Sequence, residues 1–323
     1  IPYVSSKRAK QYKCCEGQRI GSSRAFTQYV TVKQVTDLKI ALLPNLTRSH
    51  ALSVTDDVCK YLEKYNAEYY FETETAEKIC HKIKAVGLPE AELLSLCDVV
   101  IAIGGDGSLI HAARKAVKYK KPILGVNAGN LAFMAGIEKN ELELLKELIE
   151  GNYTIDKRMM LDVTVKNGSC EKTLDCCLND VVIARGEQIK LVKLNVECDG
   201  QKINDYYADG IIISTPTGST AYSLSAGGPV VDPKIESILL TPICTHSLFA
   251  RSLIFGNDSV LSVKIPENTS DKIRISCDGD DSVELRPGDC VRVGKSKYYA
   301  DFIRIKNESF IDVLNSKLAQ RRA

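Results

Sequence analysis

Between residues 38 and 152 short apolar runs alternate with amphipathic ones, and this alternation restricts the fold more than any other feature of the 323-residue chain. LKIALLP (38–44), AEYYF (67–71), LCDVVIAI (96–103) and PILGVN (122–127) read as strands. SHALSVTDDVCKYLEKY (49–65), a run over about 76–86, a run from Ser108 and NELELLKELIEGN (140–152) read as helices. Strands separated by helices cross over and pair in parallel, so a Rossmann-like α/β sheet with helices on both faces is expected. After Gly151 the texture changes. MMLDVTVKNG, IKLVKLNVECDGQKI, DKIRISCDGD and DSVELRPGDCVRVGKSKYY alternate polar and β-branched residues between Gly, Asn and Asp turns, which predicts a mostly antiparallel β-rich second half. NESFIDVLNSKLAQRR closes as an amphipathic helix with Phe310, Val313, Leu314 and Leu318 on one face.

These textures divide the chain into a leader of unassigned role (1–37), an α/β domain (38–150), a β-rich domain (151–306) and a C-terminal helix (307–323). A net charge of +2 gives no chain-wide reason to expect a nucleic acid or a membrane as partner. No apolar run approaches the roughly 20 residues that span a bilayer, and a cytoplasmic protein is the simplest expectation. The 12 cysteines include no C-x-x-C, and His50, His81, His111 and His246 form no ligand spacing with them, so reduced thiols and no metal cage are expected.

The chemistry is concentrated in two stretches. In IAIGGDGSLIHAARKAV (101–117) a strand enters a glycine turn and leaves as a helix, presenting first-turn amides to an anion. Gly104, Gly105 and Gly107 suit the close approach of a phosphate. Asp106 either caps the helix, or holds Mg²⁺ through water or accepts the proton of an attacking alcohol, as the catalytic Asp of kinases does. The second stretch, YYADGIIISTPTGSTAYSLSAGGPVVDP (206–233), runs from a strand into a loop dense in hydroxyls, suited to a ribose, an adenine edge or a pyrophosphate, with a helical run near STAYSLSAGG. GDCVRVGKS (288–296) imitates a Walker A loop, but its glycines are one residue too far apart and no helix follows; hairpin glycines explain it.

With GVNAGNLAFM (125–134) and LNDVVIARG (178–186), these stretches resemble the NAD kinase family from about Lys39 to about Leu318. GGDG alone is shared with phosphofructokinases and diacylglycerol-type lipid kinases; TPTGSTAY selects NAD kinase. The resemblance implies transfer of a phosphoryl group from ATP, or from polyphosphate in some members, to the 2′-hydroxyl of the adenosine ribose of NAD. It implies homodimers or homotetramers, Mg²⁺ arriving with ATP, and a C-terminal segment that returns to the first domain. By position, Asp106 accepts the 2′-hydroxyl proton, and Gly104, Gly105 and Ser108 lie against phosphates. Gly107, Phe133, Asn179, Asp180, Thr217, Thr220, Ala221 and Tyr222 contact NAD, and Asp209 binds its nicotinamide side from a neighbouring subunit. His246 matches a family segment near the site.

Ala132, where a glycine is usual, Thr245 and Ser252, where prolines are usual, and a final helix without tryptophan depart from the family pattern. Two rival readings share the motifs: a nucleotide-binding regulator that has lost turnover, and a sugar or lipid kinase built on the same turn.

Overall fold

The computed structural model describes residues 38–47, 50–129, 132–187, 190–246 and 251–320, with the side chains of 317–320 set aside. The leader 1–37 and the Leu318 side chain lie outside these.

Strands Val99–Gly104 and Ile123–Asn127 are buried at every residue, as unbroken apolar runs must be when helices cover both faces of a sheet. They stand in the order Ile123–Asn127, Val99–Gly104, Lys39–Pro44, Glu68–Glu72, Gly87–Leu88, all parallel. The two-residue period of a strand sorts their side chains. Ile40, Leu42, Ile101 and Ile103 enter one core with Val58 and Leu62 of helix Ala51–Lys64. Ala41, Val100 and Ala102 enter another with Leu109 and Ala113 of helix Asp106–Ala116.

The same sheet continues into the second half, reaching twelve strands. Strand Cys290–Arg304 runs antiparallel to Thr154–Asn167, and its Phe302 pairs in parallel with Ile123, so the C-terminal segment returns to the α/β layer as expected. A separate six-stranded antiparallel sheet has the order Leu253–Gly256, Ser237–Ile243, Gly210–Ser214, Asp180–Arg185, Ile273–Cys277, Val283–Leu285. Its Val181, Ile183, Ile211, Ile213 and Leu240 pack on Leu161, Val163, Leu194 and Val196 of the larger sheet, forming a sandwich core.

Several elements differ from the sequence expectation. The helix expected over about 76–86 is Thr73–Ile79, because the chain must reverse so that Gly87 can lie against it; a Cβ at Gly87 would stand 2.9 Å from Ala76 Cβ. A short helix, Glu90–Leu96, was not anticipated. The helix expected over 140–152 opens as a 3-10 turn, Leu142–Leu144, continues as Leu145–Glu150, and ends on left-handed Gly151. The run near STAYSLSAGG makes only the 3-10 turn Gly218–Thr220 and the four-residue helix Tyr222–Ser225. The Walker-like stretch lies at the start of strand Cys290–Arg304. No helix among the described residues is long and apolar enough to cross a membrane, and the ten described cysteines are all free.

Phe302 is 2% exposed where the two halves of the sheet join. Phe302→Ala is expected to cost about 3–5 kcal/mol of stability, read as a lowered midpoint in urea denaturation.

Candidate functional site

Strand Val99–Gly104 delivers the glycine turn. A Cβ at Gly104 would collide with the side chain of Ser108, whose hydroxyl accepts a hydrogen bond from Asn45 Nδ2 at 3.0 Å. Gly104 is therefore required by packing. Gly105 and Gly107 are not: a Cβ on either would meet no described atom within 4 Å. They leave bare main chain at a helix N-terminus, the surface an anion needs.

Asp106 is not the cap. Gly105 occupies the N-cap position, and Asp106 is the first helical residue. Its carboxylate instead reaches the following loop, accepting hydrogen bonds from the main-chain N–H groups of Phe133 at 2.9 Å and Met134 at 3.0 Å. Asp106 and the half-buried Phe133 are thus brought together from 27 residues apart. Ala132, beside them, is buried.

Asn179 and Asp180 are organised by a residue the sequence reading did not single out. The Asp278 carboxylate accepts from the N–H groups of Leu178 at 2.7 Å, Asn179 at 2.7 Å and Asp180 at 3.0 Å, while Asp278 N–H returns a bond to the Asp180 carbonyl at 2.9 Å. Asp278 has a left-handed backbone (φ +53°), and the DG pair at 278–279 is locally only a turn signal, so nothing nearby in sequence marks this contact. Arg114, on the helix that starts at Asp106, pairs with Asp280 in the same turn and with Asp175 at 3.5 Å, tying that helix to the turn that holds Asn179.

The hydroxyl-rich loop sits directly on this segment. Thr215 donates its N–H to the Asn179 carbonyl and its hydroxyl to the Leu178 carbonyl, then accepts from Gly218 N–H. Gly218 lies so close that a Cβ would collide with the Asn179 carbonyl. The hydroxyls divide into two sets. Ser219 bonds Pro216 and Val231, and Ser223 bonds Thr241, so these fold the loop. Thr217 is buried with Arg158 Nη1 donating to its hydroxyl at 3.3 Å, Thr220 and Ala221 are half-buried, and Tyr222 is 45% exposed. Asn179 is 9% exposed, and its Oδ1 accepts no hydrogen bond from the described residues, leaving a buried acceptor for a ligand donor.

Asp209 and the exposed His246 are not brought to this cluster within one chain. Gly210 pairs with Ile243 and Ser214 with Asp180, so Asp209 lies at the opposite end of strand Gly210–Ser214, roughly 15 Å from the Asn179 end. There Asp209 accepts from Arg185 Nε at 2.6 Å, and His246 donates its N–H to the Tyr207 carbonyl at 2.8 Å.

Asp180 is buried beside Asp278, and burial together with that second carboxylate pushes its pKa to about 7. Burial also raises Asp278, against the three amides that favour its ionised form and the nearby Arg114 charge. An acid raised on folding binds more protons in the native state, so its stabilising contribution is complete below about pH 4 and declines as pH rises to about 7. Asp180→Asn is therefore expected to raise the thermal midpoint relative to wild type at about pH 8, with the difference shrinking toward pH 4. An equal shift at every pH contradicts this.

Comparison with known proteins adds to this geometry. Residues 40–153 match the family model described as the ATP-NAD kinase N-terminal domain, and residues 178–305 match the ATP-NAD kinase C-terminal domain. The chain is 38% identical over 284 residues to an NAD kinase of Thermoanaerobacter sp. (strain X514), covering 88% of this chain and 99% of that protein. It is 38% identical over 285 residues to an NAD kinase of Acetivibrio thermocellus, covering 88% and 98%. Among solved structures it resembles yeast NADH kinase complexed with NADH (TM-score 0.82, 25% identity, 90% of each chain). It shares the fold of an NAD kinase from Archaeoglobus fulgidus in complex with ATP (TM-score 0.67, 21% identity, 87% of this chain and 99% of that one).

Proposed function

The chain belongs to the NAD kinase family, and from that premise we infer that its glycine turn and hydroxyl-rich loop act together to phosphorylate the 2′-hydroxyl of the adenosine ribose of NAD, giving NADP. It is an enzyme that takes its phosphoryl group from ATP or polyphosphate. The observation that carries the assignment of roles is the Asp106 carboxylate, aimed across the turn at the Phe133–Met134 loop and not spent as a cap.

In this reading the amides at Gly105 and Gly107 face phosphates, with Gly104 and Ser108 shaping the turn beneath them. Asp106 orients the attacking hydroxyl and takes its proton late, since an ionised carboxylate is a weak base. Thr217, Thr220 and Ala221 line the adenosine pocket, Tyr222 stacks on a base, and Asn179 and Asp180 hydrogen-bond the ligand. Among the described residues no three His, Cys, Asp or Glu side chains converge on a metal position. One carboxylate at a phosphate turn nevertheless fits Mg²⁺, which substrate phosphates would mainly hold, with Asp106 as the side chain of this turn that would face it. When bound, the ion neutralises the charge of the donor.

Asp209, before strand Gly210–Ser214, and His246, after the paired strand Ser237–Ile243, stand at the end away from Asn179, which supports a homodimer or homotetramer in which a second copy presents Asp209 to the nicotinamide side. The adenosine ribose is common to NAD and NADH, so the acceptor hydroxyl is the same in both. Residues 38–150 would carry the transfer turn, 151–306 the NAD contacts, and 307–323 a helix packed back on the first domain. Free thiols throughout the described residues support a reducing, cytoplasmic location.

Asp106→Asn is expected to lower NADP formation by about 10²- to 10⁴-fold while NAD affinity, measured by calorimetry, stays within a few-fold of wild type. Activity near wild type would remove Asp106 from the mechanism.

A further inference from the structure

Strand Thr154–Asn167 opens with Asp156 and Arg158, two residues apart and so on one face. Asp156 Oδ2 accepts from Arg158 Nη2 at 2.6 Å and from Arg304 Nε, at the end of the neighbouring strand, at 3.1 Å. Each guanidinium has a second contact. Arg158 Nη1 donates to the Thr217 hydroxyl at 3.3 Å, and Arg304 Nη1 donates to the Met134 carbonyl at 3.4 Å. Met134 N–H in turn donates to Asp106. A continuous hydrogen-bonded path thus runs Asp106–Met134–Arg304–Asp156–Arg158–Thr217, joining the turn of the first half to the loop of the second.

The centre of the path is its stiffest part. The Asp156 links are charge-assisted, and the planar guanidinium forks fix direction as well as distance. Burial alone would raise the Asp156 carboxyl, but the hydrogen bonds and charges of Arg158 and Arg304 outweigh it and hold the carboxyl below its ordinary value. Arg158 is only 9% exposed. A buried ion cluster gives little net stability over apolar packing, so stability is a poor account of it.

We propose that Asp156, Arg158 and Arg304 are positioning residues that set the distance between the Asp106 turn and the Thr217 loop, holding the acceptor hydroxyl over the carboxylate. This rests on the NAD kinase reading above. Misplacement by about 1 Å costs on the order of 10²-fold in rate, which sets the size of the effect.

The test is a double-mutant cycle on the full chain, with NADP formation measured at varied NAD and at varied ATP for Arg158→Met, Thr217→Val and the pair. Each single change is expected to lower kcat about 10- to 100-fold with KM for ATP unchanged, the pair is expected to be no worse than the worse single, and Arg158→Lys should recover part of the loss. Effects that multiply, or an Arg158→Met kcat within twofold of wild type, overturn the proposal. Hydrogen exchange in Asp156→Asn gives a reading that does not need turnover. Faster exchange at both the Phe133–Met134 and the Gly218–Ala221 amides supports the bridge, and a change at one or neither overturns it. If Asp156→Asn does not fold, Thr217→Val carries the same exchange test. A wild-type protein that makes no NADP would instead overturn the proposed function and leave the exchange result to judge the bridge.

Discussion

The Asp278 carboxylate takes three consecutive main-chain N–H groups, and the segment proposed to meet NAD is assembled outward from those bonds. Holding Leu178, Asn179 and Asp180 in this way leaves the Leu178 and Asn179 carbonyls for Thr215, which seats the hydroxyl-rich loop. The same geometry buries Asp180 against a second carboxylate, the cause of its raised pKa. Arg114 then links the Asp278–Asp280 turn to the helix that begins at Asp106. A carboxylate satisfying neighbouring amides is also how Asp106 holds the Phe133–Met134 loop, so both sides of the site use one device.

What was legible in the sequence follows from range. Periodicity and turn residues are local, and they located the parallel strands, the glycine turn and the β-rich second half. GGDGS, LND and TPTGSTAY could be read because each motif is contiguous. Asp278, Arg158 and Arg304 could not, since they act on partners 98–100, 59 and 170 residues away and carry no local period. The hydroxyl loop was readable as polar but not as divided, because burial and not residue type separates Ser219 and Ser223 from Thr220 and Tyr222. Helix Glu90–Leu96 escaped because seven residues hold too few turns for a period to emerge.

Strand Gly210–Ser214 sets the other limit. It carries Asp209 before its first residue and Thr215 after its last, so these two residues belong to one contiguous motif but stand roughly 20 Å apart. In the function proposed above, two copies of the chain would each give one end of this strand to a single NAD molecule.

The most direct measurement of the central claim is the product formed from NAD by the full chain with ATP or polyphosphate and Mg²⁺, with the position of the new phosphate read by phosphorus NMR. The account predicts NADP, phosphorylated at the 2′ position, with one ADP released per NADP when ATP is the donor. Donor hydrolysis with no NADP from either donor, or a phosphate on another hydroxyl, would contradict it.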